Sequence, residues 1–113
     1  KQDPMIRAAR KDIEAAESEY KAMQLKLRGE ITELSARLRR DTSQIKLYRD
    51  SIIPNTTLAL HAARDAYSTG RGDFATVVED FRIWLDAQIA LSRREADRLI
   101  TWAELDALRQ HMK

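Results

Sequence analysis

The stretch YSTGRGDF, Tyr67–Phe74, holds two of the chain's three glycines within three residues, in a sequence whose apolar spacing is helical on both sides. Two glycines so close together predict a reversal. One takes the left-handed conformation that ends a helix, and the other relieves crowding before Asp73, whose carboxylate caps the next helix. The segment is thus predicted to be the tip of a helical hairpin, formed by Tyr67, Ser68, Thr69, Gly70, Arg71, Gly72 and Asp73. These turn and cap requirements account fully for the Arg71-Gly72-Asp73 tripeptide, so no integrin-type adhesion is read from it.

Upstream of the tip, helix one is expected over about residues 4–69. Asp3 is placed to cap it and Pro4 occupies its first turn, where a missing N–H costs nothing. Apolar residues then recur in steps of three and four, from Ile6, Ile13, Tyr20 and Met23 to Leu34, Ile45 and Ile52, with a gap at Asp41. Gly29 lies beside this narrow seam and costs about 1 kcal/mol relative to alanine, which so long a helix absorbs. Pro54 predicts a kink or a one-turn disruption near SIIPN, with Ser51 or Asp50 capping the helix beyond it. The alanine-rich TTLALHAARDAY then allows a second helix to approach closely.

Downstream, helix two is expected over about 73–111. Phe74, Val78, Phe81, Leu85, Ile89, Ala96 and Leu99 form one stripe; Val77, Trp84, Leu91, Trp102 and Leu105 form another beside it. A two-stranded coil needs one seam, so two stripes predict more than one neighbour. Helix one would run roughly 100 Å and helix two roughly 60 Å. Folded back, helix two reaches only to about Gly29, and the seam from Ile6 to Met23 needs cover from elsewhere.

The composition agrees with an all-α rod: 34% charged and 43% hydrophobic with 6% aromatic, in 113 residues that make a single hairpin domain, 1–113. Net charge is +2, with acids and bases interleaved, which argues against a nucleic-acid groove. Zero cysteines exclude disulfides and thiol chemistry. No apolar run approaches a membrane span, and no charged-then-apolar leader is evident. His61 and His111 stand far apart without metal-ligand spacing, and Glu79 and Asp80 have no enclosed site around them. The GRG turn follows a helix rather than a strand, unlike a phosphate loop. Neither an enzyme nor a metal or cofactor site is read from these residues.

One resemblance goes further. Ile52-Ile53-Pro54, the alanine-rich helix with Ala62-Ala63, Ala66-Tyr67, Gly70, Asp73-Phe74, Val77-Val78, Leu91 and the Ala103–Leu105 region follow one another in an order and spacing similar to the second α-helical hairpin of TolC-like outer-membrane efflux proteins, closest to the heavy-metal (CzcC/CusC-like) branch. The match covers about sixty residues; the first fifty fit that family's long descending helix. The resemblance implies a trimeric duct: a β-barrel in a Gram-negative outer membrane, with paired helices reaching into the periplasm. Their tips would meet a periplasmic adaptor coupled to an inner-membrane pump exporting cations or heavy metals.

By the same resemblance Tyr67 matches the tip tyrosine of the network that holds such tunnels closed, and Gly70 the turn glycine. Glu79, with Asp80 beside it, falls where a pore-facing carboxylate narrows the entrance. Arg71 lies one position before the arginine that pairs with the tip tyrosine. The alternative reading of the residues is a self-contained coiled-coil scaffold that associates through the Ile6–Met23 seam, as a dimer or another oligomer.

Overall fold

A computed structural model describes residues 3–111. Helix α1 (Asp3–Leu47) passes through a π-helical turn (Tyr48–Ile52) into α2 (Ile53–Ser68), and the chain then reverses into α3 (Phe74–His111). No strand occurs among the described residues. The molecule is a rod of 101 × 22 × 14 Å whose radius of gyration is 27.1 Å, where a compact domain of this length would have about 13 Å. It is the antiparallel helical hairpin expected from the turn and the two long apolar patterns, with α1 and α2 as one arm and α3 as the other. Asp3 lies within the first turn of α1, where its negative charge suits the helix dipole.

Pro54 explains the π turn. A proline has no N–H, and its ring collides with the carbonyl one turn before it. Widening that preceding turn relieves the collision: the Ile53 N–H bonds to the Tyr48 carbonyl, five residues back, instead of four. Ile52 and Ile53 both keep right-handed helical angles (φ −64°, ψ −50°; φ −63°, ψ −49°), so the arm stays helical throughout. Capping by Ser51 or Asp50 is therefore not needed, and no side chain caps α2; Ser51 Oγ instead accepts a bond from Asn55 Nδ2 at 3.4 Å. Beyond the proline, Thr56 and Thr57 return their hydroxyls to the Ile52 and Ile53 carbonyls at 2.8 and 2.7 Å.

The two arms hold one antiparallel register. Trp84 Nε1 donates to Thr57 Oγ1 at 3.2 Å. Further from the tip, Arg49 pairs with Glu95 at 2.7 Å and Arg94 donates to Gln44. At the far end Glu30 and Leu34 lie beside Leu108 and His111. The second arm thus ends level with Gly29, as the lengths require.

The core between the arms is a line rather than a volume. Leu34, Ile45, Leu60, Ala87 and Leu105 are buried, Ile45 to 2% exposure. At the gap in the seam the structure buries Asp41 itself, 5% exposed, and Thr101 at the same level of the other arm. Arg40 supplies the nearest opposite charge to Asp41, at 3.7 Å. Of the two stripes on the second arm, the one carrying Val77, Trp84, Leu91 and Leu105 turns toward the first arm, whereas Trp102, which the spacing places on that same stripe, is 55% exposed. Phe74, Val78, Phe81, Leu85, Ile89 and Leu99 remain exposed, and so does the seam from Ile6 through Met23.

Candidate functional site: the hairpin tip

The tip is built by backbone hydrogen bonds before any side chain is considered. Thr69 closes α2, and Gly70 follows in the left-handed region at φ 77°. Arg71 N–H donates to the Ala66 carbonyl at 2.8 Å while Gly70 N–H donates to Tyr67 at 3.1 Å, the paired pattern of a Schellman ending. Gly72 N–H adds a bond of 3.0 Å to the same Ala66 carbonyl. That second approach draws Gly72 onto the helix end: a β-carbon there would stand 3.0 Å from Ala66 Cβ and 3.3 Å from Tyr67 N. The two glycines therefore have separate duties, one of handedness and one of space.

Side chains complete the closure. Ser68 and Thr69 hydroxyls both donate to the Asp65 carbonyl at 3.0 Å, so the Asp65, Ala66 and Tyr67 carbonyls are all paired within the turn. Arg71 Nε donates to Thr69 Oγ1 at 3.2 Å, which folds its stem along the turn. Asp73 Oδ1 accepts from Thr76 Oγ1 at 2.6 Å and from Thr76 N–H at 2.9 Å. It is the expected N-cap of α3. Those bonds, first the Thr76 hydroxyl and then its N–H, favour the carboxylate and hold the Asp73 pKa below its ordinary value of 3.8. Across the turn the Tyr67 and Phe74 rings meet at 5.5 Å between centroids, tilted by 52°.

All seven tip residues are exposed, and so is Phe74. The tip is thus a hydrogen-bonded, solvent-facing knob with a half-exposed aromatic pair, the Arg71 guanidinium bonded to Thr69 and the Asp73 carboxylate bonded to Thr76. Glu79 and Asp80 are not part of it. They lie in the second turn of α3, about 9 Å along the axis from Asp73. Glu79 is exposed, whereas Asp80 is half-buried and follows Val77 onto the band that faces the first arm. Being adjacent in a helix, the two carboxylates point about 100° apart, and they form no paired acid site.

Just below the tip a groove of about 500 Å³ runs between the arms, lined by Leu60, His61, Phe74, Val78, Phe81 and Trp84. Phe81 and Trp84 stack across its floor at 5.9 Å. Among the described residues no three His, Asp or Glu side chains gather as a metal site, and no helix is long and apolar enough to cross a membrane.

A second constellation is not apparent from the sequence. At the π turn, Arg94 lies over the Tyr48 ring at 5.1 Å and donates to Gln44, while Arg49 and Glu95 form the neighbouring ion pair. Arg94 Nε is buried there without a partner. Pro54 is the signal that marks this place, because a proline deep in a long helix must disturb the turn before it. Nothing in spacing alone identifies Arg94 as its counterpart across the hairpin.

Compared with known proteins, the chain matches no family model, no curated protein and no solved structure.

Proposed function

We propose that this chain is a periplasmic wall hairpin of a trimeric TolC-like efflux duct, passive and without a catalytic step, whose tip docks the adaptor of a tripartite export pump. The observation that carries this reading is the tip. Tyr67, Gly70, Asp73 and Phe74, on which the resemblance rests, have distinct physical duties there: aromatic clasp, left-handed turn and helix cap. They stand at the end of a rod 101 Å long, a shape suited to spanning a gap rather than enclosing a substrate. The exposed stripe of α3 supports the same reading, since a wall segment requires a neighbour on each side. Glu79, exposed and near the tip, is the carboxylate proposed to face the pore and favour cations, with Asp80 a lesser contributor.

The test is titration of the cognate adaptor's hairpin against this chain and against its Gly70→Val form, alongside the whole trimer. Binding that the substitution abolishes supports the duct. No binding by either the chain or the trimer sinks it. In the full channel, charge reversal at Glu79 should alter conductance or cation selectivity, and an unchanged single-channel record removes that residue from the pore.

A coiled-coil scaffold is the second reading. The exposure of Ile6, Ile13, Tyr20 and Met23 along one seam favours it. Association that is lost on replacing Ile13 and Tyr20 by charged residues, in a protein indifferent to the adaptor, would establish it in place of the duct.

A further inference from the structure

The outer stripe of α3 is self-complementary when read in opposite directions. Its half nearer the tip is bulky, with Phe74, Val78, Phe81 and Leu85; the other half is mostly small, with Ser92, Ala96 and Ala103 around Leu99. Bulky positions want small ones across from them. If a second α3 lies antiparallel on the first, with the two-fold axis between Ile89 and Ala90, Leu85 meets Ala96 and Ser92 of its mate, Phe81 meets Leu99, and Val78 meets Ala103.

The same register aligns the charges. Arg82, Asp86, Arg93 and Asp97 are exposed on one edge of the stripe, and none takes part in an ion pair among the described residues. With the axis at Ile89–Ala90, Arg82 stands opposite Asp97 and Asp86 opposite Arg93, each pairing occurring twice by symmetry. A parallel arrangement would turn this edge of one copy away from the same edge of the other, so these pairings would not form.

The other edge carries a third match. Spacings of seven and four put Val77, Trp84, Gln88, Glu95 and Trp102 along it. Trp102 is 55% exposed, an unusual fate for an indole. In this register it comes level with Val77 of the mate, at the apolar groove of about 500 Å³ below the tip, whose volume exceeds that of an indole side chain.

From packing, charge and groove together, we infer that the chain associates with a second copy of itself as an antiparallel two-fold dimer through α3, each Trp102 seated in the tip groove of its mate. The stripe from Phe74 to Ala103 is about 44 Å long and a helix about 10 Å wide, so the contact totals roughly 900 Å² over both partners, below the ~1,200 Å² of stable interfaces and in the range of weak, transient ones. A reversible dimer is expected. This pairing stands apart from the duct reading: in a duct the next wall hairpin would cover the same stripe, so the dimer is what forms when that neighbour is missing.

The experiment is sedimentation velocity on the full chain and its variants, with circular dichroism as the check on folding. The wild-type chain should dimerise with rising concentration. Arg82→Glu with Arg93→Glu sets like charges together at all four pairings, and Asp86→Arg with Asp97→Arg does likewise; each should weaken the dimer ~10-fold or more at low salt. An equal mixture of the two double variants restores opposite charges and should recover wild-type association. Trp102→Ala should weaken it independently of salt. The chain has no cysteine, so Leu85→Cys and Ala96→Cys can report the register: the mixture should form a disulfide-linked pair, and neither alone should.

A monomer up to ~100 μM overturns the inference, as does a dimer that Leu85→Cys links to itself or that the mixed charge variants fail to restore. A trimer under these conditions would overturn it too, while favouring the duct.

Discussion

Two stretches of the first arm carry the same apolar seam and meet opposite fates. From Leu34 to Leu60 the seam is pressed against the second arm, and Ile45 falls to 2% exposure. From Ile6 to Met23 it lies open, with Ile13 at 59%. Both carry bulky apolar residues in steps of three and four, and the covered stretch even contains a charge, Asp41, and a π turn. Periodicity therefore states which face of a helix is to be covered but not by what, and the length of α3 alone sets the boundary near Gly29.

The largest effect should come from breaking the covered side of that comparison. Ile45→Ala removes a side chain with no room to relax around the void and should lower stability by about 2–4 kcal/mol. Ile13→Ala, in the open stretch, should change the stability of the monomer by less than ~0.5 kcal/mol. Urea or thermal unfolding of both variants, at concentrations where the chain is monomeric, measures the contrast. Equal losses would mean that the open seam is covered in solution.

The glycines sharpen the comparison, because substitutions at the two should have opposite signs. Gly70→Val forces a β-branched residue into φ 77° and should cost about 1–3 kcal/mol. Gly29 has right-handed geometry, and a β-carbon there would meet nothing within 4 Å, so Gly29→Ala should stabilise by about 0.5–1 kcal/mol. A destabilising Gly29→Ala would show that something packs against that face.

How far the sequence led depended on whether a feature is local. The reversal at Gly70, the cap at Asp73 and the end of cover near Gly29 follow from a few neighbouring residues or from plain length, and the structure has each of them. The choice between the two stripes of α3 was not legible, since both have helical spacing and similar bulk. Nor was the fate of Asp41: a charge in an apolar seam reads as a gap, yet the opposing arm closes over it beside Thr101. Pro54 marked the right place: the one-turn disruption expected at SIIPN is a π turn, which keeps the helix running, so the cap expected from Ser51 or Asp50 does not form. The residues from Tyr67 to Asp73 make up the turn itself, and Glu79 and Asp80, read as a separate pore-facing pair, lie in the second turn of α3 and point about 100° apart.

The mid-hairpin junction should give a smaller effect than either glycine or core truncation. Arg49 and Glu95 are bonded at 2.7 Å but substantially exposed, so a double-mutant cycle to alanine should yield a coupling of about 0.2–1 kcal/mol that shrinks in high salt. A larger, salt-insensitive coupling would mean that the π turn depends on this pair for its register.

The smallest effect should be the acid response of the tip. Asp73 has its folded pKa below 3.8, because the Thr76 hydroxyl and N–H bind its charged form. In the unfolded chain that value is regained, so the unfolded state takes up a proton first as pH falls. The cap's contribution is therefore complete above pH 3.8 and drains away as pH drops through the lower, folded value. Asp73→Asn keeps an acceptor for Thr76 but cannot titrate. Its melting temperature should follow the wild type near neutrality and fall less steeply below pH 3.8. The covered and open stretches of the first arm have no part in this difference, so parallel acid curves for the two proteins would mean that Asp73 does not hold its bonds to Thr76 in solution.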